Sequence, residues 1–448
     1  MKAKEMDMLN GGLAGKLILF SIPLAFSSIL QQLFNSADVA VVGRFAGDRP
    51  LAAVGSCVAL VGIFVNLIVG LSVGPNAALA NLIGQKRRDK ISGMLHTIFA
   101  FGLILGIILF ALGMASARWI LEISGTPESV MDQALLYIRI YFLSLPFMVI
   151  YNFGSAALRS FGDTRRPMYY LILSGIVNVI LNLILVICFK LGVAGVAIAT
   201  VISNILSASC VVIYLYRRED EFQLRFHRLK IDKADLKKVL AIGIPAGIQG
   251  AIFSVSNVFI QSGINSFGED AIAGSSLALN FEYFTYDIAA AFAQAAVTFT
   301  SQNYGAGNLK RCKKIFGLCL LFGFTFTEIL SIIFIVWADF FVGIYTTSAA
   351  VATYGIIRMM HVCSLEGLTA TYEVESAALR GMGKSLEPSI ITIIGTVVFR
   401  MIWMVTVFKL VPTYEMLMNV YVASWVFTGG AILIVYLHHM KKAEQGQL

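Results

Sequence analysis

The chain has 448 residues, of which 58% are hydrophobic and 13% are charged, and its mean hydropathy is +0.80. The charged fraction is about half that of an average soluble domain, which excludes an ordinary soluble protein and predicts an integral membrane protein. The net charge of +8 does not indicate nucleic-acid binding, because basic loops in membrane proteins usually reflect topology. The six cysteines include no CxxC pair, so neither a disulfide framework nor a metal site is expected.

Hydrophobic segments of about 20 residues or more, long enough to cross a bilayer, recur along the whole chain. The first one is too long for a signal peptide and lacks a cleavage site, so it is interpreted as a retained helix. The fold class is therefore all-α, an integral membrane protein of twelve transmembrane helices. They are predicted over residues 15–42, 51–79, 93–116, 131–158, 167–190, 192–216, 238–264, 271–299, 313–337, 351–379, 388–409 and 413–439.

An internal duplication divides these helices into two sets of six. Residues 151–167 and 372–388 lie 221 residues apart, and seven of thirteen positions from Ser155 to Pro167 are identical to their counterparts. Six helices per repeat bring both halves into the membrane from the same side, so a pseudo-two-fold axis along the membrane normal should relate two six-helix lobes. The predicted domains are an N-lobe over 1–216, a cytoplasmic linker over 217–238 and a C-lobe over 239–448.

The distribution of lysine and arginine predicts the orientation of these helices. The termini and the even-numbered loops together hold 26 of these residues, whereas the opposite loops hold five. Cytoplasmic loops are enriched in positive charge, so both termini are expected on the cytoplasmic side. We expect a multi-pass protein of the cell (inner or plasma) membrane that is surrounded by the lipid bilayer and acts as a monomer.

Polar side chains in the N-terminal half indicate an ion site. Asp38 lies inside the first predicted span, where a charge costs roughly 3 kcal/mol unless it faces a cavity or a partner. Asn178 and Asn182 share one face of the fifth helix, and Thr200 follows in the sixth. These four oxygen-bearing side chains could hold sodium, and Asp38 alone could carry a proton. The asparagines could equally be interhelical hydrogen bonds that only hold helices together.

Further polar and aromatic residues predict a cavity for amphipathic organic cations. The ionisable residues inside the predicted spans are three arginines and seven acids, a balance of −4. The eighth helix reads FEYFTYDIAAAF, and aromatic faces beside a carboxylate suit a flat lipophilic cation. Aromatic residues in membrane helices more commonly face lipid or the core, which is the alternative. The predicted lining consists of Gln31, Asn35, Glu282, Tyr283, Tyr286, Asp287 and Glu373.

Three more residues receive structural roles. Arg139 and Arg400 lie inside predicted spans and are expected to pair with acids, for Arg400 an acid such as Glu373. Pro23 interrupts the first helix about four turns before Asp38 and predicts a hinge there. The sequence contains no HExxH, GxSxG or Walker motif, so neither an enzyme, nor a cofactor, nor transport driven by ATP bound to this chain is expected.

Taken together, these motifs resemble the multidrug and toxic compound extrusion (MATE) transporters. The resemblance covers residues 10–440 and includes the first-helix acid in NSADVAVVGRFAG, the turns NLIGQKRRD and SQNYGAGNLKR, and the pair ALRSFGDTRRP and ALRGMGKSLEP. It implies a secondary antiporter that exports organic cations in exchange for protons or sodium, by alternating access between two lobes. It also implies a coupling-ion site made by Asp38, Asn178, Asn182 and Thr200.

Two departures from that family pattern affect the choice of ion. Many members carry an acid where this chain has Asn182, so sodium binding is less expected and proton coupling through Asp38 is favoured. Members of the NorM type carry a glutamate in helix 7, where this chain offers Asn257 and Gln261. Coupling through the C-lobe in the NorM manner is therefore not expected, although Glu282 and Glu373 could substitute chemically.

Two other functions are considered beside efflux. A lipid-linked oligosaccharide flippase of the related superfamily would share the architecture, but its cavity is typically cationic, whereas the predicted cavity here is acidic. A non-transporting membrane receptor or scaffold would give no solute flux and no reason for buried acids in both halves. A major-facilitator transporter is disfavoured, because GQKRRDK at 84–90 lacks that family's GxxxDRxGR pattern.

Overall fold

The computed structural model describes residues 6–446, which contain helices and no strands. The side chains of Val255 and Val258 lie outside that description, as do Lys2 and Lys4 of the charge count. The all-α class with twelve spans is confirmed. The spans are α1 (Ala14–Phe45), α2 (Asp48–Gly84), α3 (Arg88–Ile123), α4 (Glu128–Phe142 and Leu145–Ser160), α5 (Arg165–Cys188), α6 (Gly192–Tyr216), α7 (Lys233–Asn265), α8 (Glu269–Gly305), α9 (Leu309–Val336), α10 (Ala349–Val362 and Thr369–Gly381), α11 (Leu386–Leu410) and α12 (Tyr414–Glu444).

Most of these spans have the length and composition of membrane helices. Within the described chain, nine are long and apolar enough to cross a bilayer, and α4 qualifies as a pair bent by 42°. The other two, α8 and α10, contain the ionisable residues Glu282, Asp287, Arg358, Glu373 and Glu375. In α10 the 3-10 segment Cys363–Leu368 interrupts the helix, and Glu328 of α9 accepts a hydrogen bond from the Gly367 amide there at 2.9 Å. That carboxylate satisfies a backbone group that lipid could not.

The described chain divides into two compact units. Unit 1 contains Met6 and Phe26–Gly247, and unit 2 contains Asp7–Ala25 and residues 248–446. The division therefore falls inside α1 and inside α7, within a few residues of Pro23 and Pro245. The sequence instead predicts the boundary between the lobes in the 217–238 linker. Residues of the 217–238 linker pack on unit 1, where the backbone amide of Arg225 donates to Nε2 of His96 at 3.0 Å.

Glycines hold the first half of α7 in unit 1. Gly70 and Gly74 of α2 lie one turn apart, as do Gly243 and Gly247 of α7. A Cβ at Gly70 or Gly74 would meet the α7 backbone, which only glycine allows to come so near. This is the small-residue packing of membrane helices, in which association depends on close backbone approach.

The start of α1 is held in unit 2 by polar and aromatic contacts. The Arg311 guanidinium donates to three backbone carbonyls between residues 8 and 11, at 2.9–3.1 Å. The rings of Phe20 and Phe299 meet edge to face, with centroids 5.3 Å apart. The helix that carries Asp38 is therefore anchored at its first turns within unit 2.

Candidate functional site

Asp38 of α1 meets two asparagines of α5 inside unit 1. Its Oδ1 accepts a hydrogen bond from Nδ2 of Asn182, and the same nitrogen donates to Oδ1 of Asn178 at 3.2 Å. Both asparagines are buried, and Asp38 is half-buried. The structure thus brings together three of the four residues that the sequence grouped as an ion site.

A glycine and a phenylalanine explain why α1 and α5 approach so closely at this point. The ring of Phe34 occupies the space that a Cβ at Gly175 would need. Phe34 precedes Asp38 by four residues and Gly175 precedes Asn178 by three, so each lies on the same face as its polar neighbour. Sequence reasoning missed both residues, although a small residue spaced one turn from a polar pair is a known helix-contact signal.

Thr200 stands in α6 of the same unit. Its hydroxyl donates to the Val196 carbonyl one turn earlier at 3.0 Å, and within the described chain no hydrogen bond joins it to Asp38. Two buried tyrosines of α4, Tyr137 and Tyr141, interact electrostatically with Asp38. Sequence reasoning missed these tyrosines, whose four-residue spacing places both on one face of α4.

The hydrogen-bond directions at this site decide which ion it suits as it stands. Asn182 turns its amide nitrogen toward Asp38 and Asn178, while its buried Oδ1 has no hydrogen-bond partner among residues 6–446. A sodium ion needs oxygen ligands, so Asn182 would have to turn its oxygen toward Asp38 to bind one. A proton needs only the carboxylate. The geometry therefore suits a proton at Asp38 without rearrangement of the asparagines.

The other α1 residues predicted to act here lie before Asp38 on the same helix. Gln31 and Asn35 have exposed side chains two turns and one turn before Asp38, respectively. Pro23 is buried, and α1 continues as one helix across it. The chain passes from one unit to the other two residues later, so Pro23 lies where a change of helix direction would act on both parts of α1.

In unit 2, Glu282 of α8 is bound by an arginine. Both of its carboxylate oxygens accept hydrogen bonds from Arg358 of α10, the Nη2–Oε2 pair at 2.7 Å. Arg358 also donates to the hydroxyls of Ser275 at 2.6 Å and Tyr421 at 3.4 Å. The side chains of Glu282 and Arg358 are only 7% and 3% exposed. The acid predicted to face a cationic ligand thus has its charge balanced within the protein.

The remaining predicted cavity residues of unit 2 lie on α8 and α10, the helices that also carry Glu282 and Arg358. The Tyr286 hydroxyl donates to Oε1 of Glu373 at 2.9 Å, joining α8 to α10. Asp287 is half-buried and forms no ion pair within the described residues, and Tyr283 is exposed. These four side chains offer two carboxylates and two aromatic rings to a ligand.

Among residues 6–446, neither of the two arginines expected to pair with acids forms an ion pair. Arg400 is buried, donates from Nε to Ser424 at 3.2 Å and lies over the Tyr421 ring, 4.7 Å from its centroid. Glu373, the suggested partner of Arg400, bonds to Tyr286 instead. Arg139 is exposed near the end of the helix Glu128–Phe142. The position of Arg139 along the helix did not show that its side chain is exposed.

Comparison with known proteins places this architecture in a family. The sequence profile of the MatE family matches residues 23–184 and 245–406, two segments of 162 residues each. A probable multidrug resistance protein, YoeA of Bacillus subtilis, is 28% identical over 84% of this chain and 82% of its own length. The multidrug export protein MepA of Staphylococcus saprophyticus is 22% identical over 93% and 92%.

Solved structures show the same fold. A crystal structure of MATE in complex with MaL6 has a TM-score of 0.92 at 21% identity, covering 99% of this chain and 100% of its own. An outward-facing multidrug resistance MATE family transporter of the MOP superfamily has a TM-score of 0.90 at 22% identity, with the same coverage. Since one family profile matches both repeats over 324 of 448 residues, the chain belongs to the MatE family.

Proposed function

We propose that the chain exports chemically diverse small molecules from the cell in exchange for protons that enter through Asp38. The observation that carries this proposal is the contact between the α1 carboxylate and the α5 asparagines in unit 1. The names of the relatives, multidrug resistance and multidrug export proteins, support efflux as the transport direction. A sodium ion at Asp38 is the alternative coupling ion.

In the proposed cycle a proton from outside binds the Asp38 carboxylate. The neutral carboxyl loses the charge-assisted part of its hydrogen bond to Asn182, about half of that bond's strength. The weakened contact between α1 and α5 lets α1 bend near Pro23, and the affinity for the exported molecule falls on the outward side. Such coupling needs a difference in binding free energy between the two states, typically about 1–3 kcal/mol.

The proposed substrates are amphipathic organic cations. Their charge would meet Asp287 and Glu373, and their rings would stack on Tyr283 and Tyr286. Gln31 and Asn35 of α1, in unit 1, would offer polar contacts beside Asp38. The proposed setting is the plasma or inner cell membrane, with a single chain acting alone and both termini in the cytoplasm.

The test is uptake or release of ethidium in proteoliposomes that contain the purified protein, with a proton gradient and a sodium gradient imposed separately. We expect flux with the proton gradient alone, and none in Asp38→Asn. The matched control is Asp132→Asn, since Asp132 is an exposed aspartate of α4. Flux that requires sodium would reassign the coupling ion, and full proton-driven flux in Asp38→Asn would remove Asp38 from the mechanism. No flux under either gradient would favour a flippase or a receptor.

A further inference from the structure

Two buried arginines of unit 2 flank one tyrosine ring. The guanidinium of Arg358 lies 5.4 Å and that of Arg400 lies 4.7 Å from the centroid of Tyr421. Arg358 is 2% exposed and Arg400 is 1% exposed. A guanidinium stays protonated even in such surroundings, so this part of unit 2 contains two permanent positive charges.

The acids nearby do not balance both of them through direct contacts. Glu282 binds Arg358 with both oxygens, and Arg400 forms no ion pair among the described residues. At longer range Arg400 interacts with Glu282 and with Arg358. Glu366 is also buried and interacts with Glu282 and Arg358, and its Oε2 has no hydrogen-bond partner in the described chain. A buried cation without a paired anion destabilises the fold, so an anion beside Arg400 would be stabilising.

Arg400 also has unused hydrogen-bonding capacity. Its Nε donates to Ser424, but its buried Nη1 has no partner among residues 6–446. The rings of Tyr421 and Phe253 cover the flat face of the guanidinium, which leaves its edge as the direction for an acceptor. An anionic group at that edge would supply both the missing acceptor and the missing negative charge.

The duplication shows that this position is the counterpart of an ion site. The two matched segments lie 222 residues apart at both ends, whereas the identical positions from Ser155 to Pro167 lie 221 residues from their counterparts. The π turn Ile394–Val398 just before Arg400 accommodates one extra residue, so Asn178 pairs with Arg400. Asp38 pairs with Phe259 at a spacing of 221 or with Ile260 at a spacing of 222, and both of these residues are apolar. Unit 2 therefore has an apolar side chain where unit 1 has the acid, and a cation where unit 1 has an amide.

We propose that Arg400, with the Ser424 hydroxyl and the Tyr421 ring beside it, forms a binding site for an anionic group in unit 2. The group is either a small inorganic anion such as chloride or the carboxylate of a transported molecule. The second source rests on the proposed export function, whereas the first does not. The site has the opposite polarity to the Asp38 site of unit 1.

The first experiment asks whether a small anion binds. The full chain, purified in detergent, is melted in sodium chloride and in sodium gluconate of equal ionic strength, with tryptophan fluorescence as the readout. We expect chloride to raise the melting temperature of the wild type and of Arg139→Gln by a few degrees, about what ligand excess over its dissociation constant provides. Arg400→Gln should lose that difference. Arg139 is the matched control, because it is an exposed arginine of the same chain.

The second experiment asks whether a carboxylate binds. Rhodamine 110 carries a free carboxylate, and rhodamine 123 is its methyl ester, so their dissociation constants, measured by fluorescence polarisation, isolate that one group. We expect Arg400→Gln to weaken rhodamine 110 about tenfold, the size of one charged contact, and to leave rhodamine 123 unchanged. Arg400→Lys, a milder variant, should weaken rhodamine 110 more than rhodamine 123 if Arg400→Gln does not fold.

The results separate the two sources. A chloride effect that depends on Arg400 assigns an inorganic anion, and a carboxylate preference that depends on Arg400 assigns a group of the transported molecule. A wild type with neither effect, or effects that survive in both Arg400 variants, would overturn the proposal. Because both readouts measure binding and not flux, a failed transport assay would count against the export function and leave this result standing.

Discussion

The buried ion pair of unit 2 allows the most direct test of the packing described above. Glu282→Gln preserves the shape of the side chain but removes its charge, and Arg358 then remains buried with no carboxylate against it. Breaking a buried pair by removing one partner costs about 3–5 kcal/mol. Since Arg358 donates to Glu282 through two nitrogens, we expect the upper half of that range.

The loss can be measured by melting the purified protein in detergent and following tryptophan fluorescence. For a unit of roughly 200 residues, 4 kcal/mol corresponds to a fall of about 10 °C in melting temperature. The matched control is Glu122→Gln, since Glu122 pairs with Arg118 at 2.8 Å but the two side chains are 50% and 69% exposed. An exposed pair contributes at most about 1 kcal/mol, so this control should melt within about 3 °C of the wild type.

A double variant tests whether the loss of stability comes from the unpaired arginine. Glu282→Gln combined with Arg358→Met removes both charges, and we expect it to recover most of the stability, because the cost comes from the unpaired arginine and not from the missing bond. If Glu282→Gln and Glu122→Gln lowered the melting temperature equally, Glu282 and Arg358 would not be a desolvated pair. If the double variant were no more stable than Glu282→Gln, the loss of stability would not come from the unpaired arginine.

Two further outcomes can be checked by the same melting assay. Gly175→Ala would place a methyl group inside the ring of Phe34, so we expect a loss of about 1–3 kcal/mol that Phe34→Leu partly restores, and an unchanged melting temperature would contradict the tight contact. Asp232 lies before α7, and its pKa is lowered because the backbone amides of Asp235 and Ala234 donate to its carboxylate. Because its pKa is lowered in the folded state, the Asp232 carboxylate stabilises the fold above the unfolded pKa of 3.8, and this stabilisation is lost as the pH falls through the folded pKa. Asp232→Ala should therefore melt at a lower temperature than the wild type at pH 7. That difference should shrink below about pH 3, and an undiminished difference there would contradict this assignment.

Residue patterns predicted positions along helices well and contacts between helices poorly. The spacing of Asn178 and Asn182 showed that they share a face, and in the structure Asn182 donates both to Asp38 of α1 and to Asn178. Helical spacing did not reveal that Arg358 is the ion-pair partner of Glu282. Three arginines and seven acids lie away from the ends of the predicted spans, and helical spacing does not tell which of them face each other once the helices pack.

Features of the fold that depend on contacts between helices could not be predicted from the sequence either. Hydrophobic length located twelve spans, but the interruption of α10 at Cys363–Leu368 depends on a Glu328 carboxylate from α9 that satisfies the Gly367 amide. Likewise the close contact of α1 with α5 depends on Gly175 facing Phe34, which is a property of two helices together. Such pairings arise from tertiary packing, which overrides what each segment prefers by itself.

The division of α1 and α7 between the two units has a consequence for how the protein is made. Unit 1 is complete only when Gly247 has been synthesised, well beyond the end of the first repeat, and the first part of α1 belongs to a unit whose other helices are translated last. Domains usually fold in the order of synthesis, but here the first part of α1 can pack in its unit only after the C-terminal half has been synthesised. A chain cut in the 217–238 linker would leave each fragment without a helix segment that its unit packs around. The duplication has therefore produced two halves that are mutually dependent for assembly.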